Sequence, residues 1–284
     1  MGIEDGSTHT GSRHDPDLNP SLPMSTFPWI ERYVSTLLDV DIAELEPGAL
    51  TVVESERRLR PEQSYGFVQA FYGFWFEDGR IAVSVPPGAK DRVTALVGQG
   101  TESGPIRDPH ALRVLEPNGL TAAVSAALVK AGLEPIYGIQ KAWRFACSGA
   151  LLRRWETGLC RKLQGTSIPP AEGLHMPTHA LEDGVVYGVI ADGQIVSLAY
   201  AHRTGLLENR VADLGVETAP AYRHRGYAKT AVSAVTAHVT ERGGEGLYGC
   251  AVDNKASIAT ARSVGYVPYA RVLVLAAEVP EAQP

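Results

Sequence analysis

Residues 211–230 read VADLGVETAPAYRHRGYAKT, and no other stretch of the chain says as much about its architecture. The apolar run 211–218 is typical of a strand, and a helical pattern begins at Gly226. Between them lies a basic loop. The first N–H groups of a helix have no intrahelical partners, and the helix dipole is positive there, so a strand, basic loop and helix in this order predict a phosphate site.

On either side of this stretch, the second half of the chain predicts a mixed sheet with helices packed on it. A strand–turn–strand hairpin comes before it, and two helices alternate with two strands after it. Asn254 is a plausible N-cap of the second helix. The predicted elements are strands at 185–190, 194–201 and 210–218, a helix at 226–242, a strand at 247–252, a helix at 254–264 and a strand at 266–276.

The first half of the chain predicts a mixed α/β region without a chemical motif. The predicted helices are 27–40, 90–97 and 120–131, and the predicted strands are 50–58, 65–76, 80–85 and 136–147. A further helix is predicted over 151–163. We therefore expect a disordered tail at 1–26, an N-terminal domain at 27–147, a connecting segment at 148–179 and a C-terminal domain at 180–284.

Composition narrows the class of protein. The 284 residues are 44% hydrophobic and 20% charged, which fits a soluble globular chain, and the net charge of -6 argues against a nucleic-acid partner. The three cysteines are far apart, the N-terminus resembles no secretory signal, and no apolar run is long enough for a membrane span. These features predict a cytoplasmic protein that has no membrane association.

The sequence predicts no metal site. His175 and His179 have the i, i+4 spacing of metal ligands, but Pro177 stands between them and no carboxylate accompanies them at a helical position.

Three motifs in the second half together resemble the GCN5-related N-acetyltransferase (GNAT) superfamily, in its bacterial branch with an extra N-terminal domain. They are Arg223-x-x-Gly226-x-Ala228, the preceding LGVET at 214–218, and the closing NKASI at 254–258 with SVGY at 263–266. The resemblance covers residues 180–276. It implies an α/β fold with a mixed, mostly antiparallel sheet flanked by helices, and an acyltransferase that uses acetyl-CoA as co-substrate without a metal.

The resemblance also implies which residues hold the co-substrate. The loop would bind the pyrophosphate through its backbone N–H groups, the strand end at 216–218 would run beside the pantetheine arm, and Asn254 would lie near the thiol end. The implied cofactor-binding residues are Val216, Thr218, Arg223, His224, Arg225, Gly226, Tyr227, Ala228 and Asn254.

Two residues are candidates for the chemistry that the resemblance implies. Glu217, a carboxylate at the end of an apolar strand, is the candidate general base toward the amine. The backbone N–H of Thr218, at an expected strand bulge, is the candidate donor to the thioester carbonyl. Ala261 stands where many members of the superfamily carry a tyrosine that acts as general acid. This departure leaves a second hypothesis open, a non-catalytic acyl-CoA-binding or regulatory module.

The acceptor is not identified by the sequence. A small-molecule or a peptide amine is expected, and an exposed sheet edge makes a homodimer plausible. Residues 120–139 weakly resemble the closing helix–Gly–strand pattern. This resemblance suggests the hypothesis that the N-terminal domain is a diverged copy of the same fold.

Overall fold

A computed structural model describes residues 26–61, 67–98, 119–135, 140–164, 167–177, 181, 184–202, 207 and 210–278. Residues 1–25 of the predicted tail lie outside these ranges. The helices are Pro28–Leu38 (α1), Lys90–Gly98 (α2), Leu120–Lys130 (α3), Tyr227–Thr240 (α4) and Lys255–Val264 (α5). The strands are Leu50–Glu54 (β1), Val68–Phe76 (β2), Ile81–Val85 (β3), Glu134–Pro135 (β4), Gln140–Cys147 (β5), Cys160–Lys162 (β6), Val185–Ala191 (β7), Gln194–His202 (β8), Val211–Thr218 (β9), Glu245–Ala251 (β10) and Val267–Glu278 (β11).

All of these strands belong to one sheet. Its order is β1-β3-β2-β11-β5-β10-β9-β8-β7-β6, and the short β4 pairs with β11 beside this path. The pairs β1–β3 and β9–β10 are parallel, and the other pairs are antiparallel. The predicted fold class, a mixed and mostly antiparallel sheet flanked by helices, is confirmed.

Strand β5 joins the two halves of the chain. Although it belongs to the first half, it lies between β10 and β11 of the second half and pairs with both. On its other side β11 pairs with β2, so the sheet continues across the predicted domain boundary at residue 147. The two-domain division stays a prediction, and so does the hypothesis of a diverged copy.

The helices cover the two faces of the sheet unequally. Helices α2 to α5 pack on one face, where alternate residues of the strands form two apolar clusters with them. Helix α1 packs on the opposite face, against β3, β9 and β10. The aromatic residues of β2 divide between the faces, with Phe71 under α3 and Phe74 under α1. They are therefore core residues.

One predicted element, the helix over 151–163, is wrong, and the predicted strand 50–58 ends earlier, at Glu54. Residues 151–163 form no helix, because the backbone N–H of Arg153 donates to Val264 O at 2.8 Å and that of Trp155 donates to Ser233 Oγ at 2.9 Å. These tertiary bonds tie the segment to α5 and α4. Residues Glu56–Leu59 form a 3-10 helix instead of strand, since the Ser55 hydroxyl accepts from Arg57 N and caps it.

A buried carboxylate connects α1 to the sheet. Glu245, at the start of β10, is 5% exposed, and its Oε2 accepts the backbone N–H of Ile30 at 2.9 Å. This N–H lies in the first turn of α1, where intrahelical acceptors are lacking. Burial raises the pKa of Glu245 to about 7, against the lowering effect of the Ile30 and Trp29 N–H groups. Glu245 is therefore an N-terminal cap that is costly to ionise.

We predict that Glu245 makes stability depend on pH. Its folded pKa lies above the ordinary value of 4.5, so its contribution to stability is greatest below that value and is lost as the pH rises through about 7. At about 1.4 kcal/mol per pKa unit, the change is on the order of 2–3 kcal/mol. Glu245→Gln keeps an acceptor for Ile30 but does not titrate. Urea unfolding at pH 5 and pH 8 should show a smaller pH effect in the variant, and equal effects in both proteins would contradict the assignment.

Candidate active site

The central feature of the site is a gap between β9 and β10. The two strands pair in parallel only from Val211 to Leu214 and from Glu245 to Tyr248. Beyond these residues β9 continues to Thr218 beside β8, and β10 continues to Ala251 beside β5. Each strand keeps its outer neighbour while the inner edges separate, so backbone groups of both strands face the gap.

The direction of the β9 backbone groups follows from its pairing with β8. Ala219 N donates to Val196 O at 3.0 Å, so in the antiparallel alternation the N–H and C=O groups of Val216 and Thr218 point away from β8, into the gap. The expected bulge at Thr218 is wrong, because the register from Ser197–Thr218 to the other end of β9 is unbroken. The regular alternation of backbone groups along β9 is enough to direct the Thr218 N–H into the gap.

The loop that ends this gap has the backbone shape of an anion site. His224 has φ 62° and Gly226 has φ 81°, both in the left-handed region, and Gly226 is the N-cap of α4. Thr230 is the first residue whose N–H donates back, to Gly226 O at 3.2 Å. The N–H groups of 226–229 therefore have no intrahelical acceptor and lie at the positive end of α4.

The basic side chains of this loop surround the same helix end. Arg223 is exposed and its Nε donates to Thr218 O at 3.3 Å, which places its guanidinium at the mouth of the gap. Arg225 is exposed and lies over the Tyr222 ring, 5.2 Å from the centroid. In the first turn of α4, the Nζ of Lys229 lies 4.6 Å from the centroid of the Trp155 ring. Positive charge thus collects at one end of the gap although the whole chain is acidic.

Asn254 lies just beyond the end of β10, the strand on the other side of the gap. Its Oδ1 accepts the Ser257 N–H at 3.1 Å, so it caps α5 as predicted. Asn254 is exposed and follows β10 closely in the chain. The cap uses the amide oxygen and leaves the amide N–H₂ for a ligand, and the contact with a co-substrate stays a prediction.

Glu217 lies on the sheet face opposite α4, next to Tyr200. Odd-numbered residues of β9 face this side, because Val211 packs with α1 and Leu214 packs with α4. The Tyr200 ring crosses β9 above Gly215, where a Cβ would overlap it. Burial raises the pKa of Tyr200, and the Glu217 and Asp213 carboxylates raise it further. Glu217 is partly buried, and its carboxylate has no ion pair in the part of the chain that the structure describes.

An ion pair closes the other side of the gap on this same face. Arg144 of β5 reaches across Gly249 of β10, where a Cβ would lie 2.6 Å from its Nη1. Its Nη1 donates to Asp213 Oδ1 at 2.9 Å and its Nη2 donates to the Tyr72 hydroxyl at 2.7 Å. Two residues from the first half of the chain, Arg144 and Tyr72, therefore help to build the site, and Arg144 forms an ion pair with Asp213.

Ala261 and Tyr266 are both core residues. Ala261 is fully buried under the sheet-facing side of α5, so this position supplies no proton donor. Tyr266 is 2% exposed and its hydroxyl is 2.7 Å from Thr236 Oγ1 of α4. Tyr266 is therefore an aromatic core residue.

Within the described ranges, no group of three or more His, Cys, Asp or Glu side chains could hold a metal ion. His179 lies outside those ranges. None of the helices in the described part of the chain is long and apolar enough to cross a membrane.

Comparison with known families identifies the C-terminal part of the chain. Residues 153–266 match the model of the acetyltransferase (GNAT) family. This segment belongs to the GNAT family. The GNAT segment begins inside the predicted connecting segment and includes β6, which pairs with β7 at the edge of the sheet. It contains the whole gap except the flanking strand β5. No curated protein matches the chain.

Several solved GNAT structures are similar to the chain. One is described as an acetyltransferase of the GNAT family from Novosphingobium aromaticivorans, at 22% identity and a TM-score of 0.43, covering 52% of this chain and 67% of that one. A second is a GCN5-related N-acetyltransferase from Kribbella flavida, at 18% identity and a TM-score of 0.38, covering 56% of this chain and 63% of that one. A third is a tandem GNAT protein of the clavulanic acid biosynthesis pathway, at 15% identity and a TM-score of 0.37, covering 64% of this chain and 62% of that one. The chain spans less than two thirds of the length of the last two.

The structure adds residues to the site that sequence reasoning missed. Tyr200 and Arg144 belong to strands that flank the gap, and Asp213 belongs to the apolar strand itself. A signal for the first two exists in the sequence, because Gly215 and Gly249 interrupt strands at the same level. A glycine inside a strand often marks a close approach of another group. Only the pairing register shows which side chain lies over each glycine.

We predict strong coupling between Gly215 and Tyr200. Gly215→Ala should destabilise the protein by about 1–3 kcal/mol, because the ring cannot keep its place above the added methyl group. In a Tyr200→Ala background the same change should cost much less, since the ring is gone. Urea unfolding of the four proteins of this double-mutant cycle measures the coupling. An equal cost in both backgrounds would show that the Tyr200 ring does not lie over Gly215.

Proposed function

We propose that the chain is an N-acetyltransferase, which transfers an acetyl group from acetyl-CoA to an amine by direct attack on the thioester. The observation that carries the proposal is the gap between β9 and β10, which ends at the unpaired N–H groups of α4. A phosphate-bearing ligand with amides along its arm needs these two features side by side. When bound, acetyl-CoA supplies the acyl group as an activated thioester.

The residues of the loop and of β9 support this co-substrate. The N–H groups of Gly226, Tyr227 and Ala228 suit the pyrophosphate, with Arg223, His224 and Arg225 around them. The N–H and C=O groups of Val216 and Thr218 suit the amides of the pantetheine arm, and Asn254 suits the region near its thiol end. No metal is required for any of these contacts.

The face opposite α4 supports entry of the amine from that side. The co-substrate loop connects β9 to α4, so the opposite face is the side from which a second substrate can reach the gap. An amine with a pKa near ~10 must lose a proton before it attacks. Glu217 lies on this face and is the proposed base, directly or through water. The Thr218 N–H, which points into the gap, is the proposed donor to the thioester carbonyl.

The charge on this face favours a cationic acceptor. Arg144 forms an ion pair with Asp213, and Glu217 adds a further carboxyl group to the same face. Small amines and peptide amines both fit this electrostatic requirement. The alternative, an acyl-CoA-binding module without turnover, is favoured by the full burial of Ala261, and it shares the same co-substrate contacts.

We predict that acetyl-CoA binding depends on the loop. An Arg225→Glu, Gly226→Asp double variant places negative charge at the phosphate site and strains the left-handed N-cap, so it should lose at least tenfold in affinity. Isothermal titration with acetyl-CoA measures this. Arg92→Glu is the control, because it makes the same charge change as Arg225→Glu at an exposed position of α2 and should bind normally. If the wild-type protein does not bind, the loop is a structural turn and the proposal is wrong.

We predict that Glu217→Gln separates binding from catalysis. The variant keeps the size of the side chain and removes the base, so the acetyl-CoA affinity should stay within about twofold while kcat for an accepted amine falls by about 10²–10⁴-fold. Thiol release across an amine panel, with titration of acetyl-CoA, measures both quantities. Tight binding by the wild type with no thiol release from any amine would instead favour the binding-module alternative.

A further inference from the structure

A cavity of about 320 Å³ lies along the outer flank of α4, away from the gap. It is enclosed by the C-terminal half of α4, the edge strands β6 and β7, and residues 154–158. Its volume is at the lower end of the range of about 300–1,000 Å³ that is typical of small-molecule sites. The residues that decide its chemistry are Arg154, Trp155, Cys160, Tyr187, Ala234 and His238.

This cavity is separate from the proposed co-substrate site. The anion site lies at Gly226, the N-cap of α4, whereas the α4 residues that line the cavity run from Ser233 to Glu241. The seven residues between Gly226 and Ser233 correspond to about 10 Å of helix. The gap lies between β9 and β10, and the cavity lies beside β6 and β7 at the edge of the sheet. A ligand in the cavity would therefore occupy a second site, which does not depend on the proposed function.

Hydrogen bonds fix an aromatic ring in the wall of the cavity. Trp155 N donates to Ser233 Oγ at 2.9 Å, and Trp155 Nε1 donates to Ser263 O of α5 at 3.0 Å. The Nζ of Lys229 lies over one face of the ring, yet Trp155 stays 40% exposed. A fixed and partly exposed indole offers apolar area to an aromatic ring of a ligand.

The end of the cavity around His238 is electrostatically positive. The Tyr187 hydroxyl lies 3.2 Å from His238 Nδ1, so the two side chains meet there. Burial lowers the pKa of His238, and Arg242 and Lys162 lower it further, against a smaller raising effect of Glu241. The imidazole is therefore mostly neutral near pH 7, and the field of the two cations is left to act on a ligand.

The charges around the whole cavity also favour an anion. Arg154 forms an ion pair with Glu241, and its Nη1 lies 3.9 Å from Glu156 Oε1. Together with Lys162 and Arg242, three cations stand against two carboxylates in this described part of the chain. The Arg154–Glu241 pair is about half exposed, so it is weak and a ligand can compete for the guanidinium.

We propose that this cavity binds a small aromatic carboxylate, with its ring against Trp155 and its carboxylate beside His238 and Tyr187. Ser233, to which Trp155 is bonded, and His238 are five residues apart, which is about 7–8 Å along α4. A phenyl ring joined to a carboxylate by a short chain spans this distance. Burial raises the pKa of the Cys160 thiol to about 11, so the thiol forms a neutral part of the wall.

The test is binding of 3-phenylpropionate to the full chain, measured by ligand-observed NMR titration. The matched probes are 3-phenylpropylamine, which has the same ring with the opposite charge, and propionate, which lacks the ring. We expect 3-phenylpropionate to bind about tenfold more tightly than either. Equal affinity for the amine overturns the proposal, and so does the absence of binding at about 10 mM 3-phenylpropionate.

Two pairs of variants locate the bound probe. Ala234→Phe fills the cavity and should abolish binding, whereas Ala122→Phe makes the same change at an exposed position of α3 and should not. Lys162→Glu should weaken binding about tenfold, whereas Arg161→Glu, on the opposite face of β6, should leave it unchanged. Thermal midpoints check that each variant folds. Equal affinity in Lys162→Glu and Arg161→Glu overturns the proposal even if Ala234→Phe does not fold.

Acetyl-CoA distinguishes this site from the co-substrate site. At saturating acetyl-CoA, the affinity for 3-phenylpropionate should stay within about twofold, because two separate sites can be filled together. Direct competition would assign the cavity to the co-substrate and overturn the proposal of a second site. If the protein binds 3-phenylpropionate but not acetyl-CoA, the proposed function fails while the second site stands.

Discussion

The rest of the structure depends on the fact that a strand has two hydrogen-bonding edges. Past Tyr248, β10 uses one edge for β5, and past Leu214, β9 uses one edge for β8. Because the flanking strands hold them apart, the inner edges stay open over several residues. Such edges need a partner. The end of this gap coincides with the N-terminus of α4, so the open strand edges lead to the unpaired N–H groups of the helix.

The N-terminal half contributes directly to this arrangement. It provides β5, the strand that keeps β10 from closing on β9, and it provides Arg144 and Tyr72 on the face opposite α4. Helix α1 then packs across that face and is capped from β10 by Glu245. Two glycines at one level, Gly215 and Gly249, allow side chains of the outer strands to lie over the inner ones.

Sequence reasoning predicted the elements of the second half well, because their apolar periodicity and caps are local signals. Asn254 as a cap and Gly226 before α4 are such cases. The helix predicted over 151–163 was wrong. The apolar spacing of this segment looks helical, but its backbone N–H groups donate hydrogen bonds to α4 and α5. The bulge predicted at Thr218 was also wrong, since strand alternation alone directs that N–H. Both errors concern contacts between residues distant in the chain.

From the sequence alone came the strand–loop–helix motif, the prediction of a phosphate site at 223–228 and the family resemblance, because each depends on residues that are close in the chain. The insertion of β5, the gap beside it and the position of Tyr200 and Arg144 over glycines came only from the tertiary structure. Strand order and register join residues that are far apart in the chain, such as Val68 and Ala277, or Arg144 and Asp213. No local pattern encodes which strand fills which edge, since many pairings satisfy the same alternation of apolar residues.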